Sequence, residues 1–272
     1  MDNATFLPGT KTPGNAPMIG DVKRRKAYIR RIVAFPLWGI GFITLLVASV
    51  IVHFHPGPWP FDLQTTVTLQ SLHLWPWVKS AIDFVSRLND PLPVTIALGL
   101  WLVGLSIFRW FLQVIFFVFG TVVADLGINA LISQLVGRPR PSSPLIHIYN
   151  PEPTYSFPSG HTEHNVVYYG FLLYLSFSKP VRQWRYRWIL LPFQIFAALN
   201  ILGVGYSRVE EGSHWVTDIL GGYISGALCL LLLIFLYRKA TDLLVRWRTK
   251  RQREKSIQVH YANTFRSQLK GD

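Results

Sequence analysis

Residues 215–237 read WVTDILGGYISGALCLLLLIFLY, an apolar run whose only charged side chain, Asp218, stands near its start. A helix rises about 1.5 Å per residue, so roughly 20 apolar residues cross the hydrocarbon core of a bilayer. This run is therefore predicted to be a transmembrane helix. The remaining sequence agrees, because 50% of the 272 residues are hydrophobic and only 15% are charged, which is too apolar for a soluble domain of this length.

Five further apolar runs, each with at most one acidic or basic residue, lie upstream. They predict an all-α, polytopic membrane protein with six transmembrane helices in a bundle. Between the first two runs, the amphipathic stretch 75–88 follows a segment rich in Pro and Trp, which predicts an interfacial helix on the outer face. A tight hairpin turn at Arg109 separates the second and third runs. The six predicted spans are 32–53, 92–108, 110–135, 162–177, 188–206 and 215–237.

The basic residues predict the orientation. The chain carries 27 Lys and Arg against 14 Asp and Glu, for a net charge of +13. With a cytoplasmic N-terminus, 22 of the 27 basic residues face the cytoplasm and 5 face outward, as the positive-inside rule requires. We therefore expect a basic cytoplasmic arm (1–31), a transmembrane domain (32–237) and a basic cytoplasmic tail (238–272). The tail is expected to attract anionic lipids at the cytoplasmic face. Nucleic acid is not an expected partner, because the charge lies in short clusters between apolar runs.

Two outward-facing segments carry groups suited to binding an anion. In GRPRP, residues 137–141, prolines hold Arg138 and Arg140 stiffly, and their forked donors match phosphate oxygens. In FPSGH, residues 157–161, Gly160 lets a backbone N–H approach an anion, and Ser159 adds a hydroxyl donor before a helix start. His161 stands at the rim of this predicted anion cradle.

A third segment joins the fifth and sixth spans and contains Ser207-Arg208, His214 and Asp218. His214 and Asp218 are four residues apart at the start of a helix, so they share one face. The carboxylate can then hold one ring nitrogen as a donor and free the other as a nucleophile. Both groups lie at the mouth of a membrane span, where ionisable side chains tend to be functional.

The three segments together predict a pocket for a phosphoryl group. No carboxylate cluster of metal-binding type accompanies them, so we expect catalysis without metal or cofactor, based on guanidinium charge and backbone N–H groups. His214 would attack phosphorus to form a phosphohistidine, and protonated His161 would give its proton to the departing oxygen. Because one imidazole must be neutral and the other charged, the rate should depend on pH as a bell-shaped curve.

The motifs Arg140-Pro141, Pro158-Ser159-Gly160-His161 and Ser207-Arg208-x5-His214-x3-Asp218 resemble, in order and spacing, the three signature motifs of the type-2 phosphatidic acid phosphatase superfamily. The six spans resemble its membrane branch, which includes lipid phosphatases related to undecaprenyl-diphosphate phosphatases. The likeness lies in the motif-bearing half, residues 110–236. It implies a metal-independent lipid phosphatase with His214 as nucleophile, Asp218 as its partner and His161 as acid and base. It further implies that the phosphate is held by Arg140, Ser159, Gly160 and Arg208.

One position departs from the family pattern. The first motif of the family begins with a lysine seven residues before its Arg-Pro, and this position is Ser133 here. There is no lysine between Lys79 and Lys179, so a shifted alignment does not restore it. The spacing suggests that Arg138 swings its guanidinium into the vacant place, and an Arg138→Ala variant as active as the wild type would contradict that role.

The expected reaction is hydrolysis of a lipid phosphate monoester or an isoprenyl diphosphate at the outward face of the cell membrane. Undecaprenyl diphosphate, phosphatidic acid and phosphatidylglycerol phosphate are candidate substrates, because the pocket identifies the phosphoryl group and not the lipid tail. Two alternatives stay open. One is a lipid phosphotransferase, and the other is a non-catalytic protein that binds or transports lipid phosphates, which the Ser133 position favours. The sequence leaves the natural lipid and the oligomeric state open.

Overall fold

The computed structural model describes residues 19–108, 110–149 and 151–268, without the side chains of residues 19–34, 91, 125–126 and 261–268. These residues form helices and connecting segments and no β-strand, which confirms the all-α prediction. A π-helical segment, Val123–Asn129, joins α5 to α6, and a 3-10 turn, Arg187–Leu190, precedes α9. The helices are α1 (Ile19–Phe54), α2 (Pro60–Ser71), α3 (Pro76–Leu88), α4 (Pro91–Ile107), α5 (Phe111–Val122), α6 (Ala130–Val136), α7 (Gly160–Ser176), α8 (Lys179–Arg182), α9 (Leu191–Glu210) and α10 (Val216–Gln268).

The chain divides into two compact units, residues 1–40 and 41–272. The described part of the first unit is helical from Ile19 onward and belongs to α1. The second unit contains α2 to α10 and all the site residues discussed below. Of the predicted segments, residues 1–18 of the arm, the turn at Arg109 and residues 269–272 of the tail lie outside the described residues. The domain boundaries stay predictions.

Four helical stretches of the described chain are long and apolar enough to cross a membrane, and a fifth results if α3 and α4 form one bent span. The four are Phe35–Phe54, Phe111–Val136, Arg187–Glu210 and Val216–His260, and they match the first, third, fifth and sixth predicted spans. The predicted second span is α4, which meets α3 at an angle of 68°. The predicted fourth span is α7, which has only 17 residues. The count of six spans therefore stays a prediction.

Helix α7 lies in the core of the second unit and packs closely against α10. The apolar core contains Phe171 and Leu172 of α7, Phe117 of α5 and Leu233 of α10. Glycines on α10 allow the close approach: a Cβ added at Gly222 would lie 2.6 Å from the carbonyl oxygen of Ser159. Small residues at helix contacts permit this backbone proximity in membrane bundles. The packing brings the N-terminal ends of α7 and α10 together.

Two helices stand between the first membrane-length helix and α4. The predicted amphipathic stretch 75–88 is helix α3, whereas α2 was not predicted. Both begin with proline at the first helical position, where the missing N–H costs no hydrogen bond. Helix α2 is anchored to the start of α10 through Asp62, which accepts hydrogen bonds from the backbone nitrogen and the hydroxyl of Thr217 at 2.9 and 2.7 Å.

Candidate active site

His214 lies in the short connection between α9 and α10 and is 1% exposed. Gly212 makes the turn possible, because its φ of +72° is in the left-handed region and a Cβ there would lie 2.4 Å from the carbonyl oxygen of His147. Nδ1 of His214 lies 2.9 Å from the carbonyl oxygen of Ser156. Since a carbonyl oxygen only accepts hydrogen bonds, Nδ1 carries the proton, and Nε2 has the free lone pair.

Asp218 occupies the first turn of α10, one helical turn from His214, as the spacing predicts. Its Oδ2 lies 3.7 Å from Nδ1 of His214, too far for a hydrogen bond. The same oxygen accepts from the backbone nitrogen of Trp215 at 2.8 Å, and Oδ1 accepts from Arg138. The Ser156 carbonyl therefore orients the imidazole directly, while Asp218 adds a negative charge beside it.

The second motif forms the start of α7. Ser159 is the N-cap residue, and its hydroxyl oxygen accepts from the backbone nitrogen of Thr162 at 3.5 Å and from the Thr162 hydroxyl at 3.1 Å. The backbone nitrogen of Ser159 donates to the carbonyl oxygen of Asp218 at 3.0 Å, which ties this turn to α10. The ring centroids of His161 and His214 are 6.3 Å apart. A phosphoryl group between the two imidazoles could be attacked at phosphorus by one ring and protonated at its leaving oxygen by the other.

Arg140 lies beside the nucleophile position. Its Nη1 donates to Nε2 of His214 at 2.7 Å and to the carbonyl oxygen of Ser213 at 2.9 Å. Its Nη2 donates to the Glu152 carboxylate at 2.6 Å and to the Thr154 hydroxyl at 2.7 Å. The lone pair that would attack phosphorus is thus bonded to the guanidinium in this structure. A phosphate bound by Arg140 would compete with His214 for the same guanidinium.

Arg138 does not occupy the place suggested by its spacing. It is 0% exposed, and its guanidinium donates to Asp62 at 2.7 Å, to Thr217 at 2.7 Å and to Asp218. It is absent from the described lining of the cavity, as are Ser159, Arg208 and His214. The expectation that Arg138 replaces the missing lysine is therefore corrected: its charge is already neutralised by two buried carboxylates.

Arg208, at the end of α9, is almost completely buried. Its guanidinium lies 3.3 Å from the Glu211 carboxylate and donates to the carbonyl oxygen of Ser86 at 3.0 Å, while Nε has no hydrogen-bond partner. Glu211 also accepts from the Ser86 hydroxyl. Burial raises the pKa of Glu211, and the charge of Arg208 opposes that shift. Arg208 thus keeps one buried donor, Nε, without a hydrogen-bond partner among the described residues.

A cavity of about 360 Å³ opens beside these groups. Arg140 and His161 lie on its wall, and Ser133, at the position of the family lysine, lies there too. Among the described lining residues, Arg140 is the only arginine or lysine. Much of the remaining wall is polar and consists of Asn89, Asn129, Gln134, Glu152, Thr154, Tyr155, His164 and Asn165.

Burial controls the protonation of the site. It lowers the pKa of His214 below its ordinary value, and the Asp218 carboxylate opposes part of the shift. His214 is therefore neutral at pH 7, as a nucleophile requires. Burial also lowers the pKa of Arg140, with Glu152 opposing. Arg140 nevertheless stays charged at pH 7, because the ordinary pKa of an arginine side chain lies far above neutrality.

A metal ion has one conceivable position among the described residues. Potential ligand atoms of Glu152, His161 and His214 all lie within 4.8 Å of one another. The Arg140 guanidinium is hydrogen-bonded to both Glu152 and His214, so a positive charge already stands between these two ligands. The arrangement suits a bound anion on Arg140 better than a second cation beside it.

Sequence reasoning missed three residues of this site. Asp62 carries no local motif, Ser156 acts through its backbone, and Glu152 lies in an irregular segment. An aspartate two residues after Pro60, where a helix can begin, was a weak signal for Asp62. None of the three could be placed near His214 without the fold, because each contact joins positions far apart in the chain.

Comparison with known proteins places this geometry in a family. The PAP2 superfamily pattern matches residues 113–242. Phosphatidylglycerophosphatase B of Bacillus subtilis (strain 168) is 31% identical over 186 residues, covering 64% of this chain and 81% of that protein. The chain belongs to the PAP2 superfamily. The resemblance inferred from the three motifs is thus confirmed, and this PAP2 chain is a phosphatase, a phosphoric ester hydrolase.

Two solved structures are similar to this chain. The crystal structure of the first transmembrane PAP2 type phosphatidylglycerolphosphate phosphatase from Bacillus subtilis is similar with a TM-score of 0.59 and 21% identity, covering 74% of this chain and 96% of that one. The crystal structure of Aquifex aeolicus LpxE has a TM-score of 0.48 and 18% identity, covering 65% and 96%. The PAP2 chain is a multi-pass helical membrane protein.

Proposed function

We propose that this PAP2 protein hydrolyses the phosphate ester of a membrane lipid through a phosphohistidine on His214. The observation that carries the proposal is the pair of contacts made by the His214 ring. Nδ1 donates to the Ser156 carbonyl, and Nε2 points at Arg140 beside the cavity. A neutral imidazole held in this tautomer is a nucleophile aimed at the place where a phosphate would bind.

The reaction follows from the positions of the polar groups. Nε2 of His214 attacks phosphorus as the bond to the lipid oxygen breaks, and His161 gives its proton to that oxygen. Water then attacks the phosphohistidine, His161 takes its proton, and inorganic phosphate leaves. Arg140, Arg208, the Ser159 hydroxyl and the Gly160 N–H group stabilise the charge on the phosphoryl oxygens. Binding of the substrate provides the negative charge that draws Arg140 away from Nε2.

We further propose phosphatidylglycerol phosphate as the substrate to test first. Both Bacillus subtilis proteins reported above are named for that substrate class. The amides of Asn89, Asn129 and Asn165 line the cavity and suit a substrate with a polar group next to its phosphate. Undecaprenyl diphosphate and phosphatidic acid are the comparison substrates.

The proposal is tested by measuring phosphate release from these three lipids in detergent, with EDTA present and His214→Ala as the blank. We expect release by the wild type, at least about 10³-fold faster than by the blank, because loss of a nucleophile removes the covalent route. Equal rates for the two proteins would contradict the proposed function.

A second candidate function is non-catalytic binding of a lipid phosphate. Ser133 favours it, because a dianion site without the family lysine has one positive charge fewer. Stoichiometric binding of lipid phosphate without release, unchanged in His214→Ala, would select this function. A lipid phosphotransferase would instead show phosphate release suppressed by excess acceptor alcohol.

We also propose that both termini are cytoplasmic and that the active site faces outward. The basic part of α10 beyond Tyr237 supports this orientation, since it carries eight Lys and Arg against two Asp and Glu between residues 238 and 255. The same charge suits contact with anionic lipids at the cytoplasmic face.

A further inference from the structure

Asp62 is the one completely buried carboxylate that α2 contributes to the active-site region. It is 0% exposed and lies outside the segment matched by the family pattern. Its oxygens accept from the backbone nitrogen and hydroxyl of Thr217 and from Nη2 of Arg138, at 2.7 to 2.9 Å. Burying an unpaired carboxylate costs free energy. The hydrogen bonds and the ion pair of Asp62 are therefore needed to stabilise its buried charge.

Arg138 links Asp62 to Asp218, which lies beside His214. Nη2 pairs with Asp62, Nη1 pairs with Asp218, and Nε donates to the carbonyl oxygen of Pro56 at 3.3 Å. The Trp59 ring lies 5.5 Å from the guanidinium carbon. The planar fork of an arginine can hold two carboxylates in fixed directions, which a lysine cannot do.

Asp218 ends the chain of contacts at His214. Arg138 fixes one carboxylate oxygen, and the other caps the start of α10 and lies 3.7 Å from Nδ1 of His214. Two carboxylates and one guanidinium leave one net negative charge behind the imidazole. This charge stabilises the positive imidazole that forms when Nε2 bonds to phosphorus.

We propose that Asp62 and Arg138 are positioning residues for the reaction, which hold Asp218 and its negative charge in place behind His214. The inference rests on the proposed phosphohistidine function. It assigns catalytic support to α2, which the sequence predicted neither as a helix nor as part of the site. It also explains why Arg138 is not available to replace the missing lysine.

Other charged groups face His214 and remain unchanged in the test. Arg140 and Glu152 approach from the segment between α6 and α7, and His161 approaches from α7. The charge of Arg208 on α9 acts on His161 and lowers its pKa. The acid limb is the part of the rate profile where kcat/KM falls at low pH. Because the variants keep these groups and the same substrate, a shift of this limb reports on the Asp62–Arg138–Asp218 cluster.

Four variants separate charge from folding: Asp62→Asn, the double variant Asp62→Asn/Arg138→Gln, Thr217→Val and the exposed control Asp83→Asn. The pH dependence of kcat/KM, kcat itself and the thermal unfolding midpoint are measured for each purified protein. Asp62→Asn removes one negative charge, so the pKa of His214 should fall and the acid limb should move to lower pH. We expect a shift of roughly one pH unit, the size given by a unit charge at an effective dielectric constant of about 20.

The double variant restores the net charge but not the anchor. Its acid limb should return to the wild-type position, while kcat should stay about 10- to 100-fold low because Asp218 is no longer held. It keeps the net charge of the wild-type cluster, now carried by Asp218 alone, so it can be tested even if Asp62→Asn does not fold. Thr217→Val removes hydrogen bonds of the same cluster without changing charge, and Asp83→Asn changes an exposed charge. Neither should move the limb.

Three results would overturn the inference: an unmoved limb in folded Asp62→Asn, an equal shift in Thr217→Val, or wild-type kcat in the folded double variant. Failure of the proposed function is distinct, because the wild type and His214→Ala would then release phosphate at the same rate. Activity that depends on His214 but not on Asp62 or Arg138 therefore rejects only the positioning role.

Discussion

At the scale of single residues, the two nitrogens of His214 have different partners, and this difference gives the ring its chemistry. The Ser156 carbonyl can only accept, so Nδ1 keeps its proton and Nε2 keeps the lone pair that the proposed reaction requires. The i, i+4 spacing placed Asp218 correctly on the same face, but its oxygens bind Arg138 and the Trp215 backbone. A backbone carbonyl thus orients the imidazole, and the carboxylate acts through charge.

The pH dependence of activity follows from these residues. The reaction needs His214 neutral and His161 protonated, so kcat/KM should be bell-shaped. Burial lowers the pKa of both imidazoles in the free enzyme, and the charge of Arg208 lowers that of His161 further, so the optimum of kcat/KM should lie below pH 6.5. Both limbs are measured as the rate of phosphate release from one lipid substrate, in a series of buffers of constant ionic strength and varied pH. A flat rate between mild acid and mild alkali would contradict the two-histidine assignment.

Glu152 should compete with phosphate for Arg140. Its carboxylate lies 2.6 Å from Nη2 and so stands where an anionic ligand would bind. In Glu152→Gln the guanidinium is freer, and we expect inhibition by inorganic phosphate to strengthen several-fold, with a lower KM. A weakened phosphate inhibition would mean that Glu152 supports anion binding. Exposed Glu254→Gln, on the far part of α10, is the matched control.

At the scale of helices, the contact between α7 and α10 sets the distance between the second and third motifs. Gly222 and Gly226 allow it, since a Cβ at either position would approach backbone atoms of the first turn of α7. The backbone bond from Ser159 to Asp218 then joins the two helix starts directly. Small residues on α10 therefore contribute to the site without touching substrate.

Gly226→Ala should destabilise the protein. The added Cβ would lie 2.8 Å from Cβ of Val166 and 3.0 Å from the carbonyl oxygen of Glu163, so α7 or α10 must shift. We expect a loss of about 1–3 kcal/mol, the usual range for overpacking, seen as a lower unfolding midpoint in detergent. Gly99→Ala in α4 is the control, because a Cβ there meets nothing within 4 Å. Equal effects of the two substitutions would show that this contact is not tight.

At the scale of the whole molecule, orientation in the membrane decides which compartment the cavity faces. The positive-inside rule predicts an outward-facing cavity and cytoplasmic termini, because the basic residues concentrate in the N-terminal arm and on the C-terminal part of α10. The polar cavity lies on the same side of the bundle as the connection between α9 and α10.

Cysteine labelling measures this orientation. The chain has one cysteine, so Cys229→Ser provides a cysteine-free background. A cysteine introduced at exposed Ser142, before the second motif, should react with a membrane-impermeant maleimide in intact cells. A cysteine at exposed Ser256 should react only after permeabilisation. Labelling in the reverse order would place the active site in the cytoplasm.

The sequence by itself determined the helical class and most of the membrane-length helices, and its three motifs predicted the candidate site residues. Those features depend on local properties: apolar run length, i, i+4 spacing and the residue types in three short motifs. Only the tertiary structure decided what each side chain touches. Arg138 and Arg140 are two residues apart in one motif, yet one is buried between Asp62 and Asp218 and the other faces the cavity. The two arginines have different surroundings because the fold brings α2 and the start of α10 against Arg138. These contacts join residues more than 70 positions apart, so no local sequence pattern predicts them.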